Sequence, residues 1–215
     1  MRKQFIAQLN ELNQNVIKMG SILELSINEV IVAFNTLDMD KANRIIERDN
    51  EIDLLEQEIE RECINLIAKQ QPLAKDLREI TSIMKIITDI ERIADQCADI
   101  SEYIIRLSKL PHIQEPVKLD KMIDAMKNMV INTIDAFVKK DLEQARKVIK
   151  EDDVVDKHFD HIRKELMVMM KSDPNIIEQG MHYLMIIKYI ERMADHSTNI
   201  AEWIKFVVTG KLTIG

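Results

Sequence analysis

The chain has 215 residues, 46% of them apolar and 31% charged, with only four glycines and four prolines. That balance, rich in helix formers and poor in breakers, predicts a nearly all-helical protein long enough to bury a real core. A formal charge of −7 and no visible basic face argue against a nucleic-acid partner. No uncharged apolar run reaches the roughly 18 residues that membrane insertion requires.

The opening MRKQFIAQLNELNQ turns polar too early for a secretory leader and enters an amphipathic run over 4–37. Asp38-Met39-Asp40 offers a turn and an N-cap, and a second run spans 40–70. Pro72 marks the start of a third run, 73–108, and Pro111 and Pro116 bracket a linker over 111–116. Runs over 118–139, 141–172 and 174–208 follow, the last opened by Pro174. The fold class is therefore all-α. We expect one three-helix antiparallel bundle over 1–110 and a second over 117–209, because short connections make neighbours run in opposite directions. Cys63 and Cys97 form neither a CxxC pair nor a disulfide framework, which fits a reducing cytoplasm.

The two halves are copies of one unit. Ile87-to-Ile104 reads ITDIERIADQCADISEYI, and Ile187-to-Ile204 reads IKYIERMADHSTNIAEWI. Upstream, Phe34, Asp38, Ala42, Ile46, Asp49 and Asp53 match Phe137, Asp141, Ala145, Ile149, Asp152 and Asp156. The upstream offset is larger by three residues, which places a deletion in the second copy near Pro174. Self-similarity at one long spacing means a tandem of two structural units.

The repeat preserves acids as well as apolar positions. Each helical residue advances by about 100°, so Glu91, Asp95 and Glu102 fall within roughly 40° of Leu77, Ile80, Met84, Ile87 and Ala98. On the preceding helix Asp49 and Asp53 align with Ala42, Ile46 and Ile67. The acids interrupt an apolar stripe, so the Asp49/Asp53 pair is expected to face Glu91/Asp95. The second half supplies Asp152/Asp156 against Glu191/Asp195, and Asp99 has the neutral counterpart Asn199. Crowded carboxylates against apolar walls cannot all stay ionised without a positive partner. Arg92 and Arg192 lie about 100° from the neighbouring Glu and look poorly placed for that task. A multivalent cation is the economical answer, and hard oxygen ligands suit magnesium, calcium, manganese or iron. A lone Glu-x-x-x-Asp usually belongs to a solvated face. Recurrence, inward phase and a matched pair on the adjacent helix favour coordination. The Glu-x-x-His of di-iron bundles is absent, so the site reads as structural or sensing rather than oxygen-activating.

Other candidates carry less. His158, His161, His182 and His196 have no histidine counterparts in the first half, and the 13 methionines mostly fill core. No nucleophile-and-base set or glycine-rich phosphate loop supports covalent or nucleotide chemistry. The third and sixth helices carry a second apolar side: Ile86, Ile93, Ile100 and Ile104, then Ile186, Met193, Ile200 and Ile204. That side either seals the halves together or makes a homodimer contact.

ERIADQCADISEY and ERMADHSTNIAEW resemble the E(D)xxxD signature of the PhoU family, accessory and regulatory proteins of bacterial phosphate-specific transport systems. The likeness extends through FIAQLNELNQNVIKMGSILELSINEVIVAF and the Ala42-to-Asp53 run to the closing TNIAEWI. It implies two three-helix bundles with iron or zinc clusters on the acidic motifs, other divalent ions such as magnesium or manganese being admissible. By residue it assigns ligand roles to Glu91, Asp95 and Asp99, and to Glu191, Asp195 and Asn199, with Asp49, Asp53, Asp152 and Asp156 opposite. Ala94 and Ala194 stand where the family often has Gly, and Asn199 lowers the charge of the second site. The resemblance also implies a negative regulator of phosphate uptake and of the phosphate-starvation response. Such a protein docks on a phosphate-sensing histidine kinase and on the ATPase subunit of the phosphate ABC importer, in the cytoplasm at the inner membrane. The rival readings are a carboxylate-bridged metalloenzyme and a metal-free helical interaction protein.

Overall fold

The computed structural model describes residues 2–70 and 72–211; Met1, Gln71 and residues 212–215 lie outside it. Six α-helices account for nearly all of it: α1 (Arg2–Thr36), α2 (Met39–Gln70), α3 (Ala74–Leu107), α4 (Leu119–Lys139), α5 (Leu142–Ser172) and α6 (Ile177–Thr209). A 3₁₀ turn, Pro174–Ile176, leads into α6, and no strand occurs among the described residues.

The duplication is legible in the backbone. α1 ends with Leu37 in the left-handed region at φ 50°, and α4 ends with Lys140 at the same φ. Behind them Asp38 N–H donates to the Ala33 carbonyl at 3.1 Å and Asp141 N–H to Ala136 at 3.0 Å. These are matching Schellman closures built without glycine. The same two aspartates then cap the next helix. Asp38 Oδ1 accepts from Lys41 N–H at 2.9 Å, and Asp141 Oδ1 accepts from Glu143 and Gln144 N–H at 2.9 and 3.1 Å. One residue thus closes one helix and opens the next, which sets the antiparallel hairpin.

Within each half the helices pack as a three-helix bundle, α1–α2–α3 and α4–α5–α6, and the halves join chiefly along α3 and α6. The second apolar side of these two helices is consumed there. Ile86, Ile93, Ile100, Ile104, Ile186, Met193, Ile200 and Ile204 are all buried within one chain. At about 1.5–3 kcal/mol for each large side chain removed from water, this seam is a major share of the core. Of the two expectations for that side, sealing the halves is the one realised, so a homodimer has to use another surface. A polar contact between Asn199 of α6 and Asp89 of α3 ties the crossing, along which Ala94 and Ala194 are buried.

Two smaller contacts reinforce the join. α4 approaches α1 at Gly20, where an added Cβ would lie 3.1 Å from Ile134 Cδ1 and Cγ2. Lys140 Nζ reaches across to the buried Glu79 of α3 at 2.7 Å. The connection between α3 and α4 is tied down as well. Gln179 Nε2 donates to the Pro111 carbonyl at 3.4 Å, and Val117 N–H to Glu165 Oε2 at 3.0 Å.

Candidate metal centres

Asp49 and Asp53 are one helical turn apart on α2 and share the side that meets α3. Asp95 approaches them from α3. One carboxylate oxygen from each of Asp49, Asp53 and Asp95 lies within 4.8 Å of the others, a spacing that admits a bound cation. All three are half-buried. Asp49 Oδ1 and Asp53 Oδ1 are themselves buried and have no hydrogen-bond donor. Oxygens hidden from water and left without donors are an unfavourable arrangement unless something positive joins them.

The electrostatics follow from that geometry. Burial pushes the Asp49 carboxyl up to about 6, and the charges of Asp95, Asp53 and Asp99 add to the rise. Burial and the neighbouring Asp95 push Glu91 up to about 7, against the opposing pull of Arg92. Asp53 and Asp99 are raised too, each mainly by burial and next by Asp95. All four carboxyls are therefore harder to ionise than free ones, as expected for like charges sharing a poorly solvated groove.

In the second half, Asp152 is pushed up to about 6 by burial and by Asp195, Asp156 and Glu191. Asp156 and Asp195 are raised by the same causes, burial first and Glu191 second. Asp152 Oδ1 is buried without a donor. This half is nonetheless more open: Asp156 and Asp195 are exposed, and Lys188 Nζ holds Glu191 Oε2 at 2.5 Å. Among the described residues, the tight grouping of three acids occurs in the first half alone. Asn199 is placed at the α3–α6 seam, where its Nδ2 donates to Asp89 Oδ1 at 3.2 Å.

Three features differ from expectation. The acids sit at the mouth of the α2–α3 and α5–α6 grooves, half-buried or exposed, rather than inside the bundle. Arg92, judged poorly placed from its helical angle, bonds Asp95 at 3.0 Å and stands 3.4 Å from Glu91. Its long side chain folds back over the groove, an option that the Cα direction does not reveal. Glu56 also joins the first cluster, since its charge contributes to the rise of Glu91. It continues the Asp49–Asp53 stripe by one more turn, so extending that stripe would have found it. Among the described residues the tight acid grouping contains no histidine: His196 Nδ1 pairs with Asp89 Oδ1 at 2.8 Å, and the His182 ring packs against Tyr103. Cys63 and Cys97 are buried and free, and burial raises both thiols, so they are unreactive core residues.

The donor set consists of oxygens only, several of them starved of partners, and this suits hard cations and bridging coordination. The observed grouping fits a metal, and its chemistry alone does not select which one. The PhoU domain family model matches residues 16–104 and 119–204, one copy for each half. The phosphate-specific transport system accessory protein PhoU homolog of Clostridium acetobutylicum is 37% identical over 211 residues, covering 98% of this chain and 96% of the relative. The phosphate-specific transport system accessory protein PhoU of Escherichia coli is 32% identical over 208 residues, covering 97% and 86%. The crystal structure of PhoU from Pseudomonas aeruginosa superimposes with a TM-score of 0.94 at 30% identity, covering 96% of this chain and 100% of that one. With both repeats matched and the fold shared end to end, the chain belongs to the PhoU family.

Proposed function

We propose that the protein restrains phosphate uptake and keeps the phosphate-starvation response silent while phosphate is plentiful. In this reading it is a non-enzymatic, metal-binding adaptor. It joins the ATPase subunit of a phosphate ABC importer to a phosphate-sensing histidine kinase, in the cytoplasm and recruited to the membrane through those partners. The observation that carries the reading is likeness over nearly the whole chain to proteins named as accessory or regulatory to phosphate transport.

The acids act by coordination. Asp49, Asp53 and Asp95, with Glu91 and Asp99 beside them, would hold one centre. Asp152, Asp156, Glu191 and Asp195 would hold the other, with Asn199 at its edge. Iron or zinc is the leading candidate, and magnesium or manganese also suits an oxygen-only set. Bound metal would neutralise the crowded carboxylates and fix α2 against α3 and α5 against α6, giving partners a defined bundle surface.

The test is a pull-down with the importer ATPase and the kinase's cytoplasmic portion, run with native and with chelator-treated protein. We expect capture of at least one partner by native protein and a clear loss after chelation. Failure to capture either partner overturns the adaptor reading. Capture that ignores chelation removes the metal from it.

A further inference from the structure

Beyond the end of α3 the chain folds back over the second bundle. Gln179 Nε2 donates to the Pro111 carbonyl at 3.4 Å, and Ile113 packs against the core. Pro111, His112 and Ile113 close a notch whose walls are Gln179, Tyr183, Leu37 and Leu107, and a space of only about 10 Å³ remains under them. The linker is the cover of this notch.

The repeat places an equivalent notch in the first half. Glu79 answers to Gln179 and Ile83 to Tyr183, while Lys140 answers to Leu37 and Val207 to Leu107. Among the described residues no segment takes the linker's part here. An open cavity of about 250 Å³ lies over Glu79, Val207 and Val208 instead, rimmed by Lys75 and Lys140. Val208 is 43% exposed at its edge.

The two notches differ in charge. Lys75 and Lys140 stand where the covered notch has Asn175 and Leu37. Glu79 Oε1 already accepts from Lys140 Nζ at 2.7 Å and from Asn13 Nδ2 at 3.2 Å, so the acid is answered from within the chain. Two lysines against one acid leave the rim positive, on a chain whose formal charge is −7. Exposed valine under a basic rim suits an occupant that brings an aliphatic side chain together with a negative charge. The segment covering the twin notch carries both, in Ile113 and Glu115.

We propose that the open notch is a docking groove for a non-helical, acidic segment of a partner protein, whose central aliphatic residue covers Val207 and Val208 as the linker covers its own notch. The inference rests on the adaptor reading and gives that reading a surface. A segment arriving from another chain lacks the linker's tether, so it binds more weakly and reversibly.

The probe is a peptide copying residues 110–115, LPHIQE, titrated into the full-length protein while methyl signals are followed by NMR. Saturable shifts are expected at Val207, Val208 and Ile83. The same peptide with aspartate in place of its isoleucine should bind at least about tenfold more weakly. Val208→Asp and Lys75→Glu alter exposed side chains, so each should weaken the peptide by about tenfold and leave the melting temperature unchanged. No saturable shift at these methyls, or binding that either variant leaves intact, overturns the groove. Shifts that appear only after residues 212–215 are removed assign the groove to the chain's own end and overturn a partner segment. In the pull-down with the importer ATPase and the kinase, both variants should lose a partner that the parent captures. Unchanged capture by the variants overturns the docking role while the adaptor reading stands. Capture of neither partner by the parent overturns the adaptor reading, and the peptide titration still decides whether the groove takes a segment.

Discussion

Replacing Asp49 with asparagine should stabilise the metal-free protein at neutral pH while removing its response to metal. Asp49 keeps the shape of its side chain in this change but loses its charge, and its Oδ1 is buried without a donor. Its carboxyl rises from the usual 3.8 to about 6, chiefly through burial and then through Asp95, Asp53 and Asp99. A folded-state value above the unfolded one means that the folded protein holds the proton more tightly. Stability therefore falls as pH climbs from about 4 to about 6, and the full penalty is present above that window. At about 1.4 kcal/mol per pKa unit the ceiling is near 3 kcal/mol, and since solvent reaches much of the group we take roughly 1 kcal/mol. For a chain of this size that corresponds to a rise of about 2–4 °C in Tm for Asp49→Asn, measured in chelator near pH 8. Near pH 4 the difference should vanish, because the parental Asp49 is then protonated too. Adding manganese(II) at about 100 times its Kd should stabilise the parent by roughly 2.7 kcal/mol and the variant much less. A variant that melts lower than the parent near pH 8 in chelator refutes the electrostatic reasoning. Equal stabilisation of both proteins by manganese refutes ligation by Asp49.

Three further outcomes follow from contacts described above. Arg92→Gln removes the bridge to Asp95 and the approach to Glu91, and since the Arg92 side chain is half exposed the loss in thermal stability should stay below about 1 kcal/mol. A drop of several kcal/mol would mean that the arginine holds the groove together by itself. Lys140→Ala leaves the buried Glu79 with only the 3.2 Å bond from Asn13, so urea denaturation should show a loss of about 1–3 kcal/mol, and Glu79→Gln added to it should recover part of that. Ile93→Ala opens a cavity in the fully buried α3–α6 seam and should cost about 2–5 kcal/mol while preserving a single unfolding transition. Two separated transitions would show that the halves melt independently.

Helix number, order and turns were readable from sequence because each element is long, amphipathic and bounded by a proline or a capping aspartate. The third helix, expected over 73–108, runs over 74–107. The facing of Asp49 and Asp53 toward Asp95 was readable as well, because helical phase fixes which side of a helix an acid occupies. Depth was not. Phase puts Asp156 on the bundle side yet leaves its exposure undecided, and it emerges at the groove mouth. The reach of Arg92 was hidden for a related reason, since a flexible side chain spans an angle larger than the one its Cα direction defines. Asp89 went unnoticed because its partners, Asn199 and His196, lie on α6 in the other half. Pairing them requires the register of one helix against another, and the periodicity within a single helix carries no such information.

The seam between α3 and α6 has a mechanical consequence. Each of these helices is about 50 Å long, and together they form a spine common to both bundles. The linker is strapped to Gln179 and Glu165 of the second half. A displacement imposed on one bundle is therefore expected to reach the other as lever travel along that shared beam.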